Sequence, residues 1–179
     1  VQATPPTGKR VVVALDVSGS MTAAVQGVPG MSAYEAGAAM TLLLNRHGDV
    51  RTWQFDTKLY DSTIAPATRL DDLYRHLKKI GGGGTDCSLP FIHATAKNIP
   101  VDAFVVITDN QTWAGNQHPH QAFLDYRRKV NPRAKMIGVA LATSRWSLSP
   151  ADNDAGIMTA CGLDAALPQL VHDFIVGEA

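Results

Sequence analysis

Apolar positions along this chain fall into short solid runs that alternate with longer stretches of helical spacing. The run Val11-Val-Val-Ala-Leu15 is unbroken and β-branched at three of its five positions, which suits a strand covered on both faces. A first strand is expected over 10–16. Later strands are expected over 49–55, 101–108 and 134–141, with a short run at 58–62 reading as an antiparallel edge. Between them, Leu70, Leu73, Leu77 and Ile80 recur at helical spacing and predict a helix over 70–80. Ser32 followed by Glu35 forms a capping box that opens a helix over 33–46, whose small residues Ala36, Gly37, Ala38 and Ala39 permit close packing on a sheet. Further helices are expected over 85–98, 121–130 and 163–176, the last interrupted near its start by Pro168. Residues 22–31 read as a Gly/Pro-containing connection, 81–84 as an all-glycine break, and 142–161 as irregular. Apolar strands alternating with helices imply right-handed crossovers and a mainly parallel sheet with helices on both faces, an α/β class.

With 179 residues, one compact domain is expected. We assign 10–179 to it and read 1–9, rich in Pro and Thr, as a linker from a missing N-terminal region. Formal net charge is zero, which argues against nucleic-acid binding by a broadly basic surface. No apolar run approaches the ~20 residues needed to span a bilayer, and no signal peptide is recognisable, so no membrane partner is expected. Cys87 and Cys161 form no ligand-spaced pair and read as two buried thiols in a reducing, cytoplasmic setting.

The chemistry gathers where apolar runs stop. Asp16 ends the first strand, and Ser18 and Ser20 follow at spacing two around Gly19, so that three oxygen-bearing side chains can aim at one point. Asp109 ends the strand at 101–108 in the same way, and Thr85 follows the glycine run. In a parallel sheet these segments reach the same carboxyl edge, where ligands collect. Two carboxylates and three hydroxyls are hard oxygen donors of the kind that Mg²⁺ or Mn²⁺ prefers, with water completing the shell.

Other chemistries fit less well. A phosphatase of the haloacid-dehalogenase type would use a strand-end Asp as nucleophile and wants a second carboxylate two residues later, where this chain has Ser18. The glycine run is followed by no Gly-Lys-Ser/Thr and does not match Gly-x-Gly-x-x-Gly, so neither phosphate-loop pattern applies. Ser18 and Ser20 lack any signal for a histidine base. His118-Pro119-His120 has no Cys or carboxylate at ligand spacing and reads as a solvated loop, and His93 as a packing residue. Arg75, Lys78 and Lys79 read as a small basic helix face. Asp56, Asp61 and Asp86 are candidates to shape the rim of the site, Asp86 also favouring the start of the following helix. Trp113 and Trp146 fall in expected loops near the same edge.

These residues carry a resemblance. Asp-x-Ser-x-Ser at 16–20, Thr85 after glycines and Asp109 at a strand end resemble the metal-ion-dependent adhesion site (MIDAS) of von Willebrand factor A domains. More narrowly, Ala14-Leu-Asp-Val-Ser-Gly-Ser-Met21, Gly83-Gly-Thr-Asp-Cys-Ser-Leu-Pro90 and Val106-Ile-Thr-Asp-Asn-Gln-Thr-Trp113 resemble the Ro autoantigen family, specifically its bacterial Ro-like ribonucleoproteins. The resemblance implies a Rossmann-like A domain and a non-enzymatic, metal-dependent binding module. It also implies that Ser18, Ser20 and Thr85 touch the ion while Asp16 and Asp109 hold its waters, and that an acidic protein group or other oxyanion completes the shell. In such proteins a separate ring of helical repeats binds small noncoding Y RNAs and misfolded RNAs, so RNA is an expected partner of the missing part. A purely structural role in closing that ring is the alternative.

Overall fold

The computed structural model describes residues 6–46, 49–109, 115–142 and 154–177. Six strands form one sheet in the order β3-β2-β1-β4-β5-β6: β1 (Val11–Asp16), β2 (Val50–Phe55), β3 (Leu59–Tyr60), β4 (Ala103–Thr108), β5 (Lys135–Ala140) and β6 (Ile157–Cys161). All neighbours are parallel except the two-residue β3, which runs antiparallel on the β2 edge. The helices are α1 (Ala33–Asn45), α2 (Leu70–Ile80), α3 (Leu89–Ala96), α4 (Pro119–Lys129) and α5 (Leu167–Val176).

Alternation along the central strands sorts the core into two layers. Val11, Val13 and Leu15 of β1, with Ala103, Val105 and Ile107 of β4, face α1, α2 and α5. Val12, Ala14, Phe104 and Val106 face α3 and α4, where Phe91, Phe104, Phe123 and Tyr126 pack edge-on or tilted with ring centroids 4.9–6.4 Å apart. Gly37 lets α1 sit against the sheet, since a Cβ there would lie 2.6 Å from Leu15 Cδ1.

The expected capping box is present. Ser32 Oγ accepts from the Glu35 amide while the Glu35 carboxylate accepts from the Ser32 amide at 2.8 Å and its hydroxyl at 2.8 Å. Ser32→Ala is therefore expected to cost about 1 kcal/mol, measured by urea unfolding.

Four expectations change. The helix expected over 85–98 begins only at Leu89, because the Asp86 carboxylate takes the Ser88 amide at 3.0 Å and its hydroxyl at 2.5 Å and holds 86–88 in a turn. Part of the stretch read as irregular is β6, a half-exposed edge strand whose pairing with β5, not its own pattern, defines it. Pro168 occupies the first turn of α5 rather than interrupting it, a position where a missing N–H costs nothing. Cys161 is exposed on β6, and only Cys87 is buried. Trp113 and Trp146 lie outside the described residues.

Candidate metal site at the carboxyl edge of the sheet

Strand order reverses between β1 and β4, since the chain leaves β1 towards β2 on one side and returns to β4 on the other. A crevice at the carboxyl end of such a pair is where an α/β sheet presents its ligands. Leu15 pairs with Ile107, so the next residues, Asp16 and Thr108, stand side by side on the same face. Thr108 Oγ1 donates to Asp16 Oδ2 at 2.7 Å and approaches Asp109 Oδ1 at 3.5 Å. The other carboxylate oxygen, Asp16 Oδ1, accepts from the Ser18 amide at 2.8 Å, which fixes the turn after the strand. That turn continues as a 3-10 segment, Gly19–Thr22, and it brings Ser18 Oγ and Ser20 Oγ to 3.1 Å from one another.

The glycine run lies directly on this turn. Gly82 N donates to Val17 O at 2.9 Å and Gly19 N to Gly83 O at 3.0 Å, so two loops are stitched backbone to backbone. Thr85 follows immediately and is fully buried, as are Asp16, Ser18 and Asp109, while Ser20 is half-buried. The arrangement thus joins Asp16, Ser18 and Ser20 through direct contacts, reaches Asp109 through Thr108, and carries Thr85 in on the stitched loop.

One contributor was not singled out from the sequence, and a second does more than was expected of it. Thr108 bridges the two strand ends, and only the β1–β4 register reveals it. Asp56, expected merely to shape the rim, clamps the glycine loop: its Oδ1 accepts from Lys58 N at 2.8 Å, its Oδ2 from Gly83 N at 3.2 Å, and its carbonyl from Asp86 N at 2.9 Å. Asp56→Ala removes both of these side-chain bonds, together with the longer contacts from Tyr60 Oη at 3.4–3.5 Å, and frees the loop that carries Thr85. A loss of about 1–3 kcal/mol of stability is expected, read by calorimetry. Asp61 instead accepts the indole N–H of Trp53 at 2.9 Å, beside His93, whose ring packs edge-on to Trp53 at 5.0 Å, as a packing histidine should.

The electrostatics are unusual for a carboxyl group. Burial pushes Asp16 up to about 7, against the opposing hydrogen bonds from Thr108 and Ser18. No Lys or Arg makes an ion pair with Asp16, Asp56 or Asp86 among the described residues. Nor do three or more His, Cys, Asp or Glu side chains gather as a metal cluster among those residues. The donor set here is instead hydroxyls with two carboxylates. At His118-Pro119-His120, His118 Nδ1 accepts from His120 N at 3.3 Å and caps α4, so this pair serves the helix.

Comparison with known proteins gives a consistent answer. The family model of the Ro60 vWA domain matches residues 10–175. The chain is 39% identical over 176 residues to RNA-binding protein RO60 of Caenorhabditis elegans, and 38% identical over 176 residues to RNA-binding protein RO60 of Deinococcus radiodurans. Each match covers 97% of this chain, but only 27% of the nematode protein and 33% of the bacterial one. The chain therefore spans about a quarter to a third of these relatives. The crystal structure of the D. radiodurans RO (RSR) protein superposes with a TM-score of 0.84 at 36% identity, over 98% of this chain and 36% of that one. At 15% identity, an aerotolerance-related membrane protein of Bacteroides fragilis shares the fold, with a TM-score of 0.62 over 94% of this chain and 98% of that one. No described helix is long and apolar enough to cross a membrane. The chain belongs to the Ro60 vWA domain family.

Proposed function

We propose that this chain is a non-enzymatic, divalent-metal-dependent binding module of a Ro-type RNA-binding protein. Ser18, Ser20 and Thr85 hold Mg²⁺ or Mn²⁺ directly, and Asp16 and Asp109 hold it through its waters. The observation that carries this reading is the Ser18 Oγ–Ser20 Oγ separation of 3.1 Å, beside the buried Asp16 carboxylate, with which no Lys or Arg pairs among the described residues. Adjacent ligands of an octahedral ion with bonds of 2.0–2.1 Å stand about 3 Å apart, so the two hydroxyls suit neighbouring positions in such a shell. When bound, the ion supplies positive charge and an open coordination position for an outside oxygen. The protein's part is to fix the donors. Thr108 and the Ser18 amide orient Asp16, while Asp56 and the backbone stitches hold the loop that bears Thr85.

An acidic protein group or another oxyanion is the ligand this edge would receive. Full burial of Asp16, with a hydrogen bond on each carboxylate oxygen, supports binding over nucleophilic attack on phosphorus. As part of a longer protein like these relatives, of which it spans a quarter to a third, the module serves a cytoplasmic assembly that binds noncoding RNA, including Y RNA and misfolded RNA. The named activity of the relatives, RNA binding, supports that context.

Calorimetric titration of Mg²⁺ and Mn²⁺ into chelator-treated protein tests the reading. One saturable site is expected in the parent chain and none in Thr85→Ala, with unfolding curves showing both folded. Retention of the site in Thr85→Ala, or no saturable heat even with acetate added, would sink the proposal.

A further inference from the structure

The zero net charge of this chain conceals a segregation of charge along the sheet. Four buried carboxyl residues, Asp16, Asp56, Asp86 and Asp109, sit at the carboxyl edge. At the opposite end of the strands, a cleft of about 740 Å³ is lined by five cationic side chains: Lys9, Arg10, Arg127, Arg133 and Lys135. Two carboxylates answer them. Asp102 takes Arg10 Nε and Nη2 at 3.0 and 2.8 Å, and Asp154 takes Arg127 Nη1 at 2.6 Å. The cleft keeps an excess of positive charge.

Three of the cations are held in place by the fold. Arg10 sits just before β1 and is gripped bidentately, leaving further guanidinium donors beyond the pair. Arg127 lies across the Phe123 ring, 5.3 Å from its centroid, in space that only Gly156 leaves, since a Cβ there would stand 2.7 Å from Arg127 Nη2. Lys135, the first residue of β5, donates to Phe174 O at 2.8 Å and to Gly177 O, where it meets the negative end of α5. Burial and the charge of Lys9 hold the Lys135 ammonium below its ordinary value, a sign that the two cations feel each other. Lys9 and Arg133 are exposed, and their side chains make no hydrogen bond or ion pair among the described residues. Fixed guanidinium forks with two outlying cations across a polar cleft match the several oxygens of a phosphoryl group. Among the described residues no aromatic side chain lines the cleft to stack a base, so the recognition argued here rests on phosphate.

We propose that this cleft, at the end of the sheet away from the candidate metal site, binds phosphoryl oxyanions. The source is either free phosphate chemistry or the phosphodiester backbone of a single-stranded RNA. The proposal is independent of the metal reading and survives its failure.

The test titrates the chain, with chelator present, separately with inorganic pyrophosphate and with a short fluorescent oligouridylate at several salt concentrations. Charge reversal of the two outlying cations, Lys9→Glu with Arg133→Glu, is compared with Arg69→Glu plus Lys79→Glu, an equal change of net charge at and near α2. Saturable binding, weakened about tenfold or more by the cleft variant and little by the α2 variant, supports the site. If the oligouridylate binds tighter than pyrophosphate, with a log–log salt slope near −2 that flattens in the cleft variant, the source is the RNA backbone. If only pyrophosphate binds, the source is free phosphate. Absence of saturable binding by both probes, equal loss in both variants, or stronger competition by a polyglutamate peptide than by pyrophosphate overturns the proposal. Both variants alter exposed side chains, and unchanged thermal unfolding establishes that each is folded.

Discussion

Replacing Asp16 with asparagine is expected to abolish saturable Mg²⁺ binding while making the ion-free protein more stable at pH 8. The amide has the shape of the carboxyl group and can still accept from the Ser18 amide, and the Thr108 hydroxyl can turn to accept where it now donates. What it lacks is charge. In the ion-free fold, burial raises the carboxyl from its ordinary value of 3.8 to about 7, so the folded chain holds this proton more tightly than the unfolded chain. The resulting stabilisation is complete below about pH 4 and is lost as pH rises through about 7. It amounts to a few kcal/mol, the upper limit set by a difference of that size. Asp16→Asn removes this dependence. Urea unfolding in chelator should therefore give a smaller fall in stability between pH 5 and pH 8 for the variant than for the parent. Added Mg²⁺ should stabilise only the parent, because an ion that binds the folded state alone shifts the unfolding equilibrium by mass action. Stabilisation of Asp16→Asn by Mg²⁺ to the same extent would show that the carboxylate takes no part in holding the ion.

The second large effect is expected from one methyl group. Gly81 has an ordinary backbone conformation, so its constraint is space. A Cβ there would lie 1.9 Å from Val17 O, 2.7 Å from Val17 Cβ and 2.9 Å from the Tyr34 hydroxyl. Val17 O is the point where the site is tied to the rest of the protein: it accepts from Gly82 N at 2.9 Å and from the buried Tyr34 hydroxyl. Gly81→Ala must move the loop off that carbonyl and break at least one of these bonds. Overpacking together with an orphaned polar group gives an expected loss of about 3 kcal/mol. For a chain of this length that lowers Tm by roughly 6–12 °C. Metal affinity should fall with it, since the displaced loop carries Thr85. A melting temperature within about 2 °C of the parent would mean that the loop adjusts without cost.

Much of this architecture is legible in the order of residues alone. The solid apolar run at 11–15 and the capping box at Ser32 and Glu35 are local codes, and their elements form as expected. The helix at 70–80 is legible to the residue, because Leu73 and Leu77 bury a narrow stripe while charged residues fill the other face. The failures share a cause. At 86–88 a side chain, Asp86, takes the Ser88 amide that a helix would otherwise claim, and helical pattern alone does not register that competition. At 157–161 a half-exposed edge strand has no amphipathic signature, and its identity rests on hydrogen bonds to β5, a partner about twenty residues away.

The sequence by itself determined the strand–helix alternation and the list of oxygen donors, because each depends on residues within a few positions of one another. Only the tertiary structure decided which of them meet. The β1–β4 register sets Thr108 on Asp16, and the contacts of Asp56, Val17 and Gly19 lay the glycine loop on the donor turn. It also divided a chain with no net charge into an acidic edge and a basic cleft. Composition sums charges over the whole chain, whereas the field at a site depends on distance, and folding sets the distances.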